Sequence, residues 1–169
     1  MMAAVTLMTG ACADPGPAAP PAAAPAAVAA RLATDAVPHD PDDPAIWVDP
    51  ANPAGSLIIG TDKQEGVGGL YVFGLDGRLR QSVTPMDRPN NVDVEYGLTV
   101  GGADADIAVA TERMQRRLRV FRIDRQRRRL DEITTAGGIP VLEGQRAEAG
   151  EPMGIALYKR PADGAVFAI

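Results

Sequence analysis

The stretch Leu70-Tyr71-Val72-Phe73-Gly74-Leu75-Asp76 returns, 48 residues later, as Leu118-Arg119-Val120-Phe121-Arg122-Ile123-Asp124. Each copy is followed by a turn and another Leu, Leu79 and Leu130. Upstream, the apolar run ending at Thr61 matches the one ending at Thr111 at an offset of 50. Between these anchors the apolar runs are short and β-branched, as in Ala45-Ile46-Trp47-Val48, Leu57-Ile58-Ile59, Val92 to Tyr96 and Ile107 to Thr111. Asp76-Gly77 reads as a hairpin turn, and no long stretch carries a 3.6-residue period. The chain is therefore read as all-β, and a four-strand unit recurring every 40–50 residues is the signature of propeller blades.

The phasing places blade one at about Asp42–Val83 and blade two at about Asn90–Thr134. A third opens at Glu151 to Tyr158 and stops at Ile169 inside its second strand. This is a partial β-propeller of about two and a half four-stranded blades, fewer than the roughly four to eight that close a ring. The chain is accordingly expected to be a fragment, inactive and poorly folded by itself.

Three segments follow. Residues 1–12 are apolar, then small, and end at Cys12, like a signal with a lipobox-like site. No Lys or Arg precedes Arg31, however, and Thr9 stands where Leu is commoner, so lipidation of Cys12 competes with no role at all. Residues 13–33 are an Ala/Pro-rich linker, expected to be disordered because it cannot bury enough surface to offset its ordering entropy. Residues 34–169 are the incomplete propeller. A lipid on Cys12 would tether the protein to a bacterial membrane, making it a secreted, periplasmic or cell-envelope lipoprotein.

Composition narrows the chemistry. A single cysteine rules out a disulfide framework and a Cys-based zinc cluster, and a single histidine, His39, rules out a His-rich metal site. The net charge of −5 argues against nucleic acid. The Arg run from Arg113 to Arg129 falls on a strand and a hairpin turn without interleaved aromatics, as a charged outer blade edge would. No apolar run is long enough for an internal transmembrane helix. His39 is expected to be solvent-exposed, Trp47 to lie in the core and Met153 to serve in packing.

The richest stretch is Asp40-Pro41-Asp42-Asp43-Pro44-Ala45-Ile46-Trp47-Val48-Asp49-Pro50, with two adjacent carboxylates just before a strand. It reads either as an oxygen-rich Ca²⁺ loop or as a turn whose Asp residues cap local N–H groups. Asn90-Asn91-Val92-Asp93-Val94-Glu95 takes the same place in blade two. Inner strands of a propeller converge on one channel mouth, so Asp42, Asp43, Asn91, Asp93 and Glu151 would form an acidic ring. Bound metal is the natural compensation for converging carboxylates. Lys63 and Arg113 hold equivalent repeat positions and would suit an anionic substrate; otherwise they are solvated loop charges.

With these residues assembled, the chain resembles the β-propeller phytases, calcium-dependent alkaline phosphatases of inositol hexakisphosphate. Asp42 to Pro50 is close to that family's opening motif, and Asn90-Asn91-Val92-Asp93 to a second. Asp106-Ile107-Ala108-Val109-Ala110 followed by Arg113, and Glu151-Pro152 with Gly154, are similar to two more. The resemblance implies a six-bladed propeller, monomeric in complete form, with several Ca²⁺ ions at its channel mouth. It implies calcium ligation by Asp42 and Asp43 and by the carbonyls of Pro44 and Val92, with Asn91 and Asp93 lining the same site. It implies phosphate binding by Lys63 and Arg113, so that Asp42, Lys63 and Arg113 carry the catalysis and Glu151 joins the metal set. The implied activity is that of a 3-phytase-type phosphoric monoester hydrolase acting on phytate or another small anionic phosphomonoester. Met153 departs from the Tyr usual in the family, and the family's later Lys and acidic residues would lie beyond Ile169. Two other readings remain: a non-catalytic propeller lipoprotein that binds protein, and a propeller lactonase or esterase.

Overall fold

The structure, a computed structural model, describes residues 28–135, 137–146 and 148–169. The signal-like segment with Cys12 and the linker as far as residue 27 lie outside the described residues. The rest of the linker, residues 28–33, is exposed. Residues 31–169 form one compact unit.

The first sheet is an antiparallel meander of β1 (Pro41–Trp47), β2 (Leu57–Asp62), β3 (Gly68–Gly74) and β4 (Leu79–Met86), in that order. The second repeats it with β5 (Pro89–Val100), β6 (Ala103–Glu112), β7 (Arg117–Asp124) and β8 (Arg129–Glu132). A short β9 (Ile139–Pro140) pairs with the start of β7. The third sheet has β10 (Leu157–Lys159) and β11 (Val166–Ala168). The fold is all-β, a succession of antiparallel blades of the propeller type. Among the described residues no helix is long and apolar enough to cross a membrane.

Period-two alternation builds the core. Ala45 and Trp47 of β1, Leu57 and Ile59 of β2, and Leu70 and Val72 of β3 face Val92, Ala108, Ala110, Phe121 and Ile123 of the second blade. Alternate residues along a strand share a face, so each blade offers one apolar surface to its neighbour. On the opposite face of blade two, Ile107, Val109, Leu118 and Val120 share a small apolar gap with Leu157, Val166 and Ala168 of the third sheet. The β3–β4 turn depends on Gly77 at φ 74°, where a Cβ would sit 2.5 Å from the Ala33 carbonyl oxygen.

Three expectations need correction. Asp42 and Asp43 lie within β1, not before it, at a register slip between Pro41 and Pro44. Pro lacks the N–H that would continue the ladder there. The third blade's inner strand is shorter than Glu151 to Tyr158: residues 151–156 carry no strand, and Pro152 again lacks a donor. Met153 does not pack into the core: the residue is 52% exposed, and its carbonyl accepts from Thr111.

Candidate functional site

The inner strands β1 and β5 begin side by side, each opposite the C-terminal end of its blade's second strand. Those second strands close on one tripeptide pattern, Thr61-Asp62-Lys63 and Thr111-Glu112-Arg113. In both copies the Thr hydroxyl accepts an inner-strand N–H, from Asp43 at 3.0 Å and from Asn91 at 3.0 Å. In both, the acid is buried and holds the segment leading into the inner strand. Asp62 accepts the Asp40 N–H at 2.9 Å, and Glu112 the Asp87 N–H at 2.7 Å. A second partner completes each carboxylate, His39 Nδ1 at 2.8 Å for Asp62 and the Arg117 guanidinium for Glu112. His39 is exposed, as expected, and its ring is tied to Asp62.

The basic member of each tripeptide is presented at the strand entrance. Lys63 Nζ donates to Asp42 at 2.8 Å, and Arg113 Nε to Glu151 at 2.7 Å. The remaining carboxylates reach across blade boundaries. Asp43 Oδ2 accepts the Val92 N–H at 3.0 Å, and Asp93 Oδ2 accepts the Leu157 N–H at 2.7 Å. Asn90 Nδ2 donates to Asn91 Oδ1 at 2.7 Å, while Asn90 Oδ1 is buried without a hydrogen-bond partner among the described residues. Pro44 sits opposite Gly60 in the β1–β2 ladder.

Asp42, Asp43, Lys63, Asn91 and Val92 therefore share one neighbourhood. Arg113, Glu151 and Asp93 continue it toward the third sheet. Recesses of about 200 Å³, lined by Asp42, Asp43, Pro44 and Thr61, and of about 290 Å³, lined by Thr111, Glu151 and Met153, flank these entrances. Among the described residues no three His, Cys, Asp or Glu side chains converge on one point. The carboxylates are compensated by a cation or by backbone N–H groups. A hard cation here would draw on carbonyl and amide oxygens as well as on Asp43 and Asp93.

A cleft of about 790 Å³ lies elsewhere, around Tyr96, Asp106, Arg125 and Lys159. It contains none of the expected site residues. Its floor is a closed polar knot: Asp106 accepts from Trp47 Nε1 at 2.9 Å, Arg125 at 2.7 Å and the Gly97 N–H at 3.1 Å. Burial pushes the Asp106 carboxyl up, but the Arg125, Trp47 and Gly97 hydrogen bonds outweigh it and hold the carboxyl below the usual range. A knot with its partners satisfied fixes Trp47 in the core and offers no reactive group.

Sequence reasoning picked out Lys63 and Arg113 but missed the work of Thr61, Thr111, Asp62 and Glu112. The signal was present, since the whole tripeptide repeats at an offset of 50 and not its basic residue alone. The Trp47–Asp106 bond, spanning 59 residues, had no such marker.

Comparison with known proteins agrees with this architecture. The chain is 34% identical over 130 residues to the 3-phytase of Bacillus subtilis (strain 168). That match covers 76% of this chain and 32% of the relative, so the chain spans about a third of the relative's length. The model of the family described as Phytase matches residues 2–169, and the chain belongs to that family.

Proposed function

We propose that this chain supplies part of the site of a calcium-dependent phosphomonoester hydrolase that releases phosphate from phytate. The observation that carries the reading is the repeated placement of Lys63 and Arg113, one blade apart, each beside a carboxylate at an inner-strand entrance. Two cations on neighbouring blades suit a small substrate bearing more than one phosphate.

The residues divide the work. Asp42 holds Lys63, and Glu151 holds Arg113, until an anion arrives. A phosphate then competes for each cation; Arg113 can offer two parallel N–H donors, and Lys63 a compact point charge. The carboxylates so released are free to take other partners. Asp43, Asn91 and Asp93, with the carbonyls of Pro44 and Val92, form an oxygen set that would hold Ca²⁺. The unpartnered Asn90 Oδ1 beside them supports that fit, because a buried acceptor left unsatisfied costs about 1–3 kcal/mol. Calcium, when bound, would lower the repulsion between carboxylates and phosphate and activate a water for attack.

The test is phosphate release from phytate by the complete protein to which these blades contribute, in calcium, with and without a chelator. Release that stops on chelation is expected. Release indifferent to chelator would overturn the metal requirement, and absence of release in calcium would overturn the substrate. For the amino terminus, we propose export and a lipid on Cys12 as the membrane tether. Mass spectrometry of the mature protein should find a diacylglyceryl-modified Cys12, and an unmodified thiol would remove the anchor.

A further inference from the structure

The two threonines that end the second strands sit at the junctions where the proposed ligands meet. Thr61 and Thr111 are each 1% exposed and each one residue from the end of its strand. A hydroxyl accepts freely but has a single proton to give. Thr61 Oγ1 accepts the Asp43 N–H, and its nearer acceptor is the Asn90 carbonyl, at 3.1 Å against 3.3 Å for the Asp43 carbonyl. Thr111 Oγ1 accepts the Asn91 N–H, and its nearer acceptor is the Met153 carbonyl, at 2.9 Å against 3.4 Å for the Asn91 carbonyl. Both hydroxyls therefore take a hydrogen bond from their own blade and give one to the next.

The residues they grip are the ones that matter. Asp43 is itself a proposed ligand. Asn90 leads into Asn91, Val92 and Asp93. Met153 follows Glu151 by two residues, which places the Arg113 partner. Each Thr also lies two residues before a phosphate-binding cation, Lys63 or Arg113. One buried oxygen thus fixes a ligand-bearing entrance on each of two blades, with no ligand of its own.

We infer that Thr61 and Thr111 are positioning residues, whose hydroxyls set the spacing between the ligand-bearing entrances of successive blades. This rests on the calcium-dependent reading above. Outer partners that orient metal ligands affect affinity strongly when removed, by about 10- to 100-fold.

The experiment compares wild type, T61V and T61S in the full chain, by calorimetric titration with calcium and by amide hydrogen exchange. T61V keeps the shape and removes the hydroxyl; T61S keeps the hydroxyl. T61V is expected to weaken calcium binding about 10- to 100-fold and to speed exchange at the Asp43 amide, whereas T61S retains both properties. Wild-type affinity in T61V, or equal losses in T61V and T61S, would overturn the inference. If wild type itself binds no calcium, the metal reading fails separately. Exchange at Asp43 then still decides whether the hydroxyl positions the entrance, an unchanged rate in T61V overturning it. Should T61V not fold, T111V and T111S carry the same comparison at the Asn91 amide.

Discussion

Blades one and two end their second strands alike, on Thr61-Asp62-Lys63 and Thr111-Glu112-Arg113, but wire the last two residues differently. In blade one, the buried acid pairs with His39, which is 43% exposed, and the cation pairs with Asp42 of the same blade. In blade two, the buried acid pairs with the Arg117 guanidinium, and the cation reaches Glu151, beyond its own sheet. The hydroxyl keeps one role in both copies because it bonds only to backbone, and backbone geometry repeats with the strands. Side-chain partners vary because any group of the right charge within reach serves.

The largest effect should come from breaking what joins the blades. Trp47 of blade one is fully buried and reaches Asp106 of blade two. W47A should cost about 3–5 kcal/mol in urea melts, removing most of the stability of this unit. A loss below about 1 kcal/mol would mean that the blades do not depend on this contact.

The two buried acids should respond unequally to loss of their partners. R117A leaves Glu112, 2% exposed, with the Asp87 N–H as its one remaining partner among the described residues, and should cost about 3 kcal/mol. H39A should cost about 1 kcal/mol, since water can reach the vacated position beside Asp62. Equal losses would erase the distinction between the blades.

The cations sharpen the comparison further. K63M and R113M should each lower phosphate release about 10- to 100-fold, the worth of a hydrogen bond to a charged group. R113K should recover less activity than K63R, because an ammonium cannot reproduce the paired guanidinium donors.

The smallest effect is one of pH. Asp106 has its carboxyl held below its unfolded value of about 3.9. The stability it contributes is full above that value and is lost as pH falls through the lower, folded one. Urea melts should therefore lose stability between pH 4 and lower values, and D106N should flatten that slope. An identical slope in D106N would assign the acid sensitivity to other carboxylates.

Part of this molecule could be read without coordinates. Short apolar runs at β2 and β3 and alternation along β5, β6 and β7 marked the strands, Asp76-Gly77 marked a turn, and the 48–50-residue offsets marked the blades. Those signals are local, or repeat at a fixed interval, because a strand with one buried face must alternate and each blade must rebuild the same four strands. The same offset drew attention to Lys63 and Arg113.

Tertiary structure alone decided who holds whom. Asp43 bonds to Val92, 49 residues away, and Asp93 to Leu157, 64 residues away. Asp42 and Glu151 are paired with cations rather than gathered into an uncompensated acidic ring. Polar partnerships of this kind have no period in sequence. They depend on distance and direction, and these exist only once neighbouring blades pack and bring their strand entrances together.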